Sequence, residues 1–104
     1  MPGSLYWAYV GFVDTPGGKT RPVLHLRTSD DAYIVFRVSS RYADKSDFIR
    51  SKYVEIHDWR AAGLPKPSWI DTVKTYQLPT ETTNLTYIGQ LTQADLARLV
   101  ANLG

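Results

Sequence analysis

The sequence predicts a small α+β domain, mostly β, built as an antiparallel barrel-like sheet with a helix against one side. Segments of β-branched and aromatic residues, several with apolar and polar positions alternating, recur through the first 76 positions. The clearest stretch with helical spacing comes last, and turns rich in Gly, Pro or Asp separate the earlier segments. At 104 residues the chain suits a single domain spanning 1–104, and folding at that length buries roughly two-thirds of the unfolded surface.

The first strand is expected over 6–14, where weak alternation ends at Thr15-Pro16-Gly17-Gly18. The second, over 21–27, puts Pro22, Leu24 and Leu26 on one face and Arg21, Val23, His25 and Arg27 on the other, one side apolar and one basic. After a polar turn at 28–31, a third strand over 32–39 alternates Ile34, Phe36 and Val38 with Tyr33, Val35, Arg37 and Ser39. Residues 41–52 read as a charged surface loop with one helical turn.

Residues 53–56 form a short strand, and 57–64 are expected to make one or two helical turns ended by Gly63. Strand character returns over 68–76, Leu78-Pro79 closes it, and 80–84 is a polar linker. The final helix opens with Thr92 and Asp95 in capping-box spacing, and Leu91, Leu96, Leu99, Val100 and Leu103 make its apolar stripe.

Composition removes several chemistries. Cysteine is absent, which excludes disulfides, thiolate nucleophiles and Cys-based zinc sites. The two histidines, His25 and His57, stand in no metal-ligand spacing, so neither metal nor cofactor is expected. No apolar run approaches the ~18 residues that span a bilayer, and residues 1–7 lack a charged stretch before an apolar one, so a cytoplasmic protein is expected. The net charge of +2 and a pI near 9.0 are compatible with nucleic acid, but the placement of the charges must carry that argument.

Short blocks then fall in a familiar order. They are Trp7-Ala8-Tyr9-Val10 with Phe12-Val13-Asp14; Lys19-Thr20-Arg21-Pro22-Val23-Leu24; Val38-Ser39-Ser40; Asp58-Trp59 through Ala62-Gly63-Leu64-Pro65-Lys66-Pro67-Ser68; Ile70-Asp71-Thr72-Val73-Lys74-Thr75; and Ile88-Gly89-Gln90-Leu91 before the last helix. In this order the chain resembles the PemK/MazF toxins. It departs from them with Ser39 where many carry Thr, Thr72 where Gln is usual, and Trp69 where an Arg would stand.

The resemblance implies an SH3-like barrel of the CcdB/PemK type with a C-terminal helix. It also implies a metal-independent, sequence-selective endoribonuclease acting on single-stranded RNA, a homodimer, and a cognate antitoxin as protein partner. The reaction it implies, attack by a ribose 2′-hydroxyl on the adjacent phosphate, needs a proton acceptor, a cation for the developing charge and a proton for the leaving oxygen. Arg21 suits the charge, because its guanidinium fork meets two phosphate oxygens at once and does not deprotonate.

Ser39 matches the family's catalytic hydroxyl, with Ser40 as the alternative on the opposite strand face. Asp71 and His25 compete as proton acceptor, while Asp71 could equally anchor a loop by binding backbone. Lys19, Arg37, Arg41 and Lys74 are the expected substrate cations, and Tyr42, with Phe48, a stacking ring for unpaired bases. Two rival readings are a CcdB-like inhibitor of another enzyme such as gyrase, and a small nucleic-acid-binding barrel that does not cut. Trp7, Tyr9 and Tyr87 offer apolar surface for a dimer.

Overall fold

The computed structural model describes residues 3–11 and 18–103, with the side chains of Val10 and Lys19 outside the description. Strands β1 (Ser4–Gly11), β2 (Gly18–Thr28) and β3 (Ala32–Ser39) are followed by the one-turn helix α1 (Asp47–Ser51) and β4 (Tyr53–Ile56). Then come β5 (Ser68–Pro79), β6 (Leu85–Gln90) and α2 (Gln93–Leu103). All paired strands run antiparallel in one sheet of order β4-β5-β3-β2-β1-β6.

The order is linear and the sheet does not close: β4 and β6 are its two edges. The expected barrel is therefore incorrect, and the fold is a mostly-β, open antiparallel sheet with a C-terminal helix. The PemK/MazF assignment, and the toxin identity resting on it, are overturned on the same ground. The sequence blocks fix the order of strands and turns, but no local motif specifies whether two distant edges pair.

The turns at 57–64 pack over the face of β6. A Cβ added at Gly89 would stand 2.1 Å from the Ala62 carbonyl oxygen, so only glycine admits this approach of two backbones. Gly63, at φ +91°, ends the turns beside the Ile88 carbonyl.

Period-two alternation gives the sheet two unlike faces. On the covered face Leu5, Leu24, Phe36, Val38, Val54, Ile56 and Ile70 pack against Ala62 and Leu64 of the turns and against Leu91 and Leu99 at and within α2. Asp95, 1% exposed, ties α2 down: its carboxylate accepts from the His57 and Asp58 amides at 3.1 and 2.9 Å and pairs with Arg98. On the open face Ala8, Val23, Val35 and Leu78 are roofed by Tyr6, Tyr33, Tyr76 and Leu85, every one of them a strand residue.

The final helix forms as expected, with the Asp95 amide donating to the Thr92 hydroxyl at 3.3 Å. Its apolar stripe is narrower than expected: Leu99 is buried, whereas Val100 and Leu103 are 60% and 51% exposed. The brief turn expected at 57–64 forms, with the Ala62 amide donating to the Asp58 carbonyl at 3.0 Å and Gly63 ending it, without lengthening into a regular helix; β6 was not expected at all. No helix among the described residues is long and apolar enough to cross a membrane.

Candidate functional site

The open face carries the polar and aromatic side chains of interest because of register. Across the sheet run Val23↔Arg37, Arg37↔Asp71 and Tyr53↔Asp71. Two residues along, a neighbouring row holds Ala8↔Arg21, Ser39↔Trp69 and Glu55↔Trp69. Directly opposed residues share a face with Cα atoms ~4.5–5.5 Å apart. Arg21, Arg37, Ser39, Asp71, Tyr53 and Trp69 thus occupy adjoining positions on one surface, and the three expected catalytic residues fall together.

Each has a structural task as well. Asp71 is 8% exposed and its Oδ1 accepts the Val73 amide at 2.9 Å, an Asx turn that opens a bulge. Val35 pairs with Tyr76 and Arg37 with Asp71, so residues 72–75 leave the ladder. The bulge is pinned to the end of α1, since the Thr72 amide and hydroxyl both donate to the Lys52 carbonyl. The Ser39 hydroxyl accepts the Arg41 amide at 3.1 Å where the chain leaves β3.

Tyr53 completes the group, although nothing in the sequence reading selected it. Burial pushes its phenol ionisation upward, the Asp71 charge adds to that, and Arg37 opposes it; the Ser39 hydroxyl also touches the balance. Tyr53 therefore keeps its proton at neutral pH. A signal was present: Val54 and Ile56 point to the core, which turns Tyr53 and Glu55 outward.

Aromatic rings flank this group on both sides. Tyr42 stacks on Trp69 with centroids 4.9 Å apart and planes 8° from parallel, and the Arg50 guanidinium lies 5.9 Å from the Tyr42 ring. Lys74 and Arg37 approach Tyr76 at 4.9 and 5.8 Å from its centroid. Farther along, Tyr6, His25, Tyr33 and Tyr87 meet edge to face.

His25 is held below its usual pKa, chiefly by burial, and its Nε2 lies 2.8 Å from the Thr28 hydroxyl. It pairs with Val35, one row from Arg37 and two from Ser39, so it does not join Asp71.

The remaining expected contacts divide. Arg41 is exposed and paired with Asp44 at 3.0 Å. Ser40 lies on the opposite face, in a pocket that also touches Arg21. The Lys19 backbone opposes Val10, and its side chain falls outside the description. Phe48 is 67% exposed beside Lys52. Among the described residues, no three His, Asp or Glu side chains converge as metal ligands.

The surface offers two guanidiniums, two hydroxyls and one carboxylate beside stacked rings, groups suited to a phosphodiester and its unpaired bases. No protein-family model matches the chain, and no curated protein matches it.

Proposed function

We propose that the open face binds single-stranded RNA and cuts it without a metal ion. The observation that carries this reading is the adjoining set of Arg21, Arg37, Ser39, Asp71 and Tyr53 on a sheet face built only of strand residues, next to the Tyr42–Trp69 stack. Arg21 and Arg37 would hold the phosphate and neutralise charge as the 2′-oxygen bonds to phosphorus. Asp71 would take the 2′-hydroxyl proton, Ser39 would orient a phosphate oxygen, and Tyr53 would protonate the departing 5′-oxygen. The products would be a 2′,3′-cyclic phosphate and a 5′-hydroxyl end.

The test is incubation with single-stranded RNA in excess chelator, followed by mass analysis of the ends. Cyclic-phosphate ends that fall by ~10²-fold or more in Arg21→Ala are expected, the loss typical when one charge-stabilising donor is removed. Intact RNA, or cleavage only on adding a divalent ion, refutes it.

A second reading, binding without cutting, is favoured by one observation: Asp71 and Ser39 each already satisfy a backbone amide. Retained RNA affinity with no cyclic-phosphate ends selects it. Either reading implies work in the cytoplasm, where an acidic segment of a partner protein would compete for the same face. Tyr9 and Tyr87, each 60% exposed, support self-association, which sedimentation at micromolar concentration would reveal.

A further inference from the structure

One row of directly opposed residues crosses all six strands on the open face. From β6 to β4 it runs Tyr87, Tyr6, Val23, Arg37, Asp71 and Tyr53. With ~4.8 Å between neighbouring strands, the row is about 24 Å long. The groups proposed to hold the phosphate and move protons stand at Arg37, Asp71 and Tyr53 of this row and at Arg21 and Ser39 of the next, with the Tyr42–Trp69 stack beside them. Tyr87 and Tyr6, at the other end, have no part in that chemistry.

Tyr87 is 60% exposed, and the Tyr6 ring meets it edge to face, centroids 5.6 Å apart and planes at 71°. Tyr6 touches His25 and His25 touches Tyr33, while Tyr6 and Tyr33 pack on the buried cluster of Ala8, Val23, Val35 and Leu78. Tyr87 lies outside that cluster. Its ring is propped from one side by a fixed neighbour, so little side-chain freedom is left to lose when a second ring stacks on it. Residues 82–94 include no Asp, Glu, Lys or Arg, so β6 neither repels nor anchors a phosphate backbone, and stacking is what it can offer a nucleic acid. Tyr9, the other tyrosine exposed to 60%, follows Leu5 and Trp7 at period two on the covered side, which leaves Tyr87 continuous with the open face alone.

We infer that Tyr87, propped by Tyr6, is a second base-stacking subsite for the RNA, on the far side of the phosphate-binding group from the Tyr42–Trp69 stack. The inference rests on the RNA reading above. In the strand order Arg37 on β3 is separated from Tyr87 on β6 by β2 and β1, a distance of about 14 Å. At the ~3.4 Å rise of stacked nucleotides this is about four nucleotides, and the whole row is about seven. The RNA therefore crosses the sheet at a steep angle to the strands, its scissile phosphate at Arg37 and Arg21 and an unpaired base stacked on either side. A tyrosine face accepts any base, so the subsite sets the length of RNA engaged and not its sequence.

The test is the affinity of 2′-O-methyl oligouridylates of three to twelve nucleotides, which bind without supplying the attacking hydroxyl, for the wild-type chain, Tyr87→Ala and Tyr87→Phe. Thermal melting checks folding, and sedimentation records the association state of each chain. Wild-type affinity should rise with length up to about seven nucleotides. Tyr87→Ala should bind the longest oligomer about five- to tenfold less tightly, the low end of the worth of stacking on one ring, and the shortest nearly as well as the wild type; Tyr87→Phe should keep the affinity. Unchanged affinity of folded Tyr87→Ala for the longest oligomer overturns the subsite and leaves RNA binding standing. A loss that follows only a change in association state makes Tyr87 a contact between copies and overturns it as well. Failure of the wild type to bind any of the oligomers overturns the RNA reading and the subsite with it.

Discussion

The two faces of the sheet come from the same strands and differ in what lies over them. On one, aliphatic side chains are sealed by the turns at 57–64 and by α2. On the other, small apolar residues lie beneath a layer of tyrosines, and arginines stand beside a buried carboxylate. The covered face needs its neighbours to hold the fold together, whereas the open face is finished by its own side chains. A substitution should therefore report stability on the first and ligand handling on the second.

The largest expected effect is on the covered face. Ile70 is fully buried near the start of β5, between Val38 and Val54, and Ile70→Ala should lower unfolding free energy by about 2–5 kcal/mol in a denaturant titration. A loss well under that range would mean that the face is less tightly sealed than described.

Next comes the lock between α2 and the turns. Burial alone would raise the Asp95 pKa, but hydrogen bonds from Asp58, Arg98 and His57 bring it below its usual 3.8. A group with a depressed folded pKa stabilises above its unfolded value and ceases to do so as pH falls through the folded one. Stability should drop below pH ~4, and Asp95→Asn should flatten that part of the curve while costing about 1–3 kcal/mol at neutral pH. An unchanged acid limb would dissociate Asp95 from the lock.

A smaller effect is expected on the open face. Tyr42→Ala removes one ring from the stack on Trp69 and should weaken single-stranded RNA binding by about 1–3 kcal/mol with little change in melting temperature. The reverse pattern, an unstable variant with normal binding, would make the stack a structural prop and blur the contrast between faces.

Much of the architecture could be read in advance. The bounds of β3 and β4 follow directly from alternation and turn residues, and Thr92 marks the start of α2. The failures share a cause: they depend on contacts between segments far apart in sequence. β6 has little alternation of its own and exists because β1 supplies its partner. The bulge at 72–75 depends on an Asp71 turn and on the Lys52 carbonyl, neither of which leaves a periodic signal. Closure of the sheet was expected from resemblance, and whether β4 and β6 meet depends on the two ends of the strand order, which leave no local signal.

The site divides likewise. Arg21, Arg37, Ser39 and Asp71 were recognisable by residue type, and alternation put Arg37 and Ser39 on one face. That Asp71 faces Arg37, and that Tyr53 joins them, depends on the pairings of β5 with β3 and β4. Ser40 separated from Ser39 for the simplest reason, the period of two.

Two tryptophans allow a direct comparison of the regions, since Trp59 packs on the covered face and Trp69 stands on the open one. Fluorine NMR of the chain labelled with 5-fluorotryptophan, titrated with single-stranded RNA, should move the Trp69 resonance and leave Trp59 in place. Movement of Trp59 with Trp69 unchanged would put the ligand on the wrong side of the sheet and contradict the account.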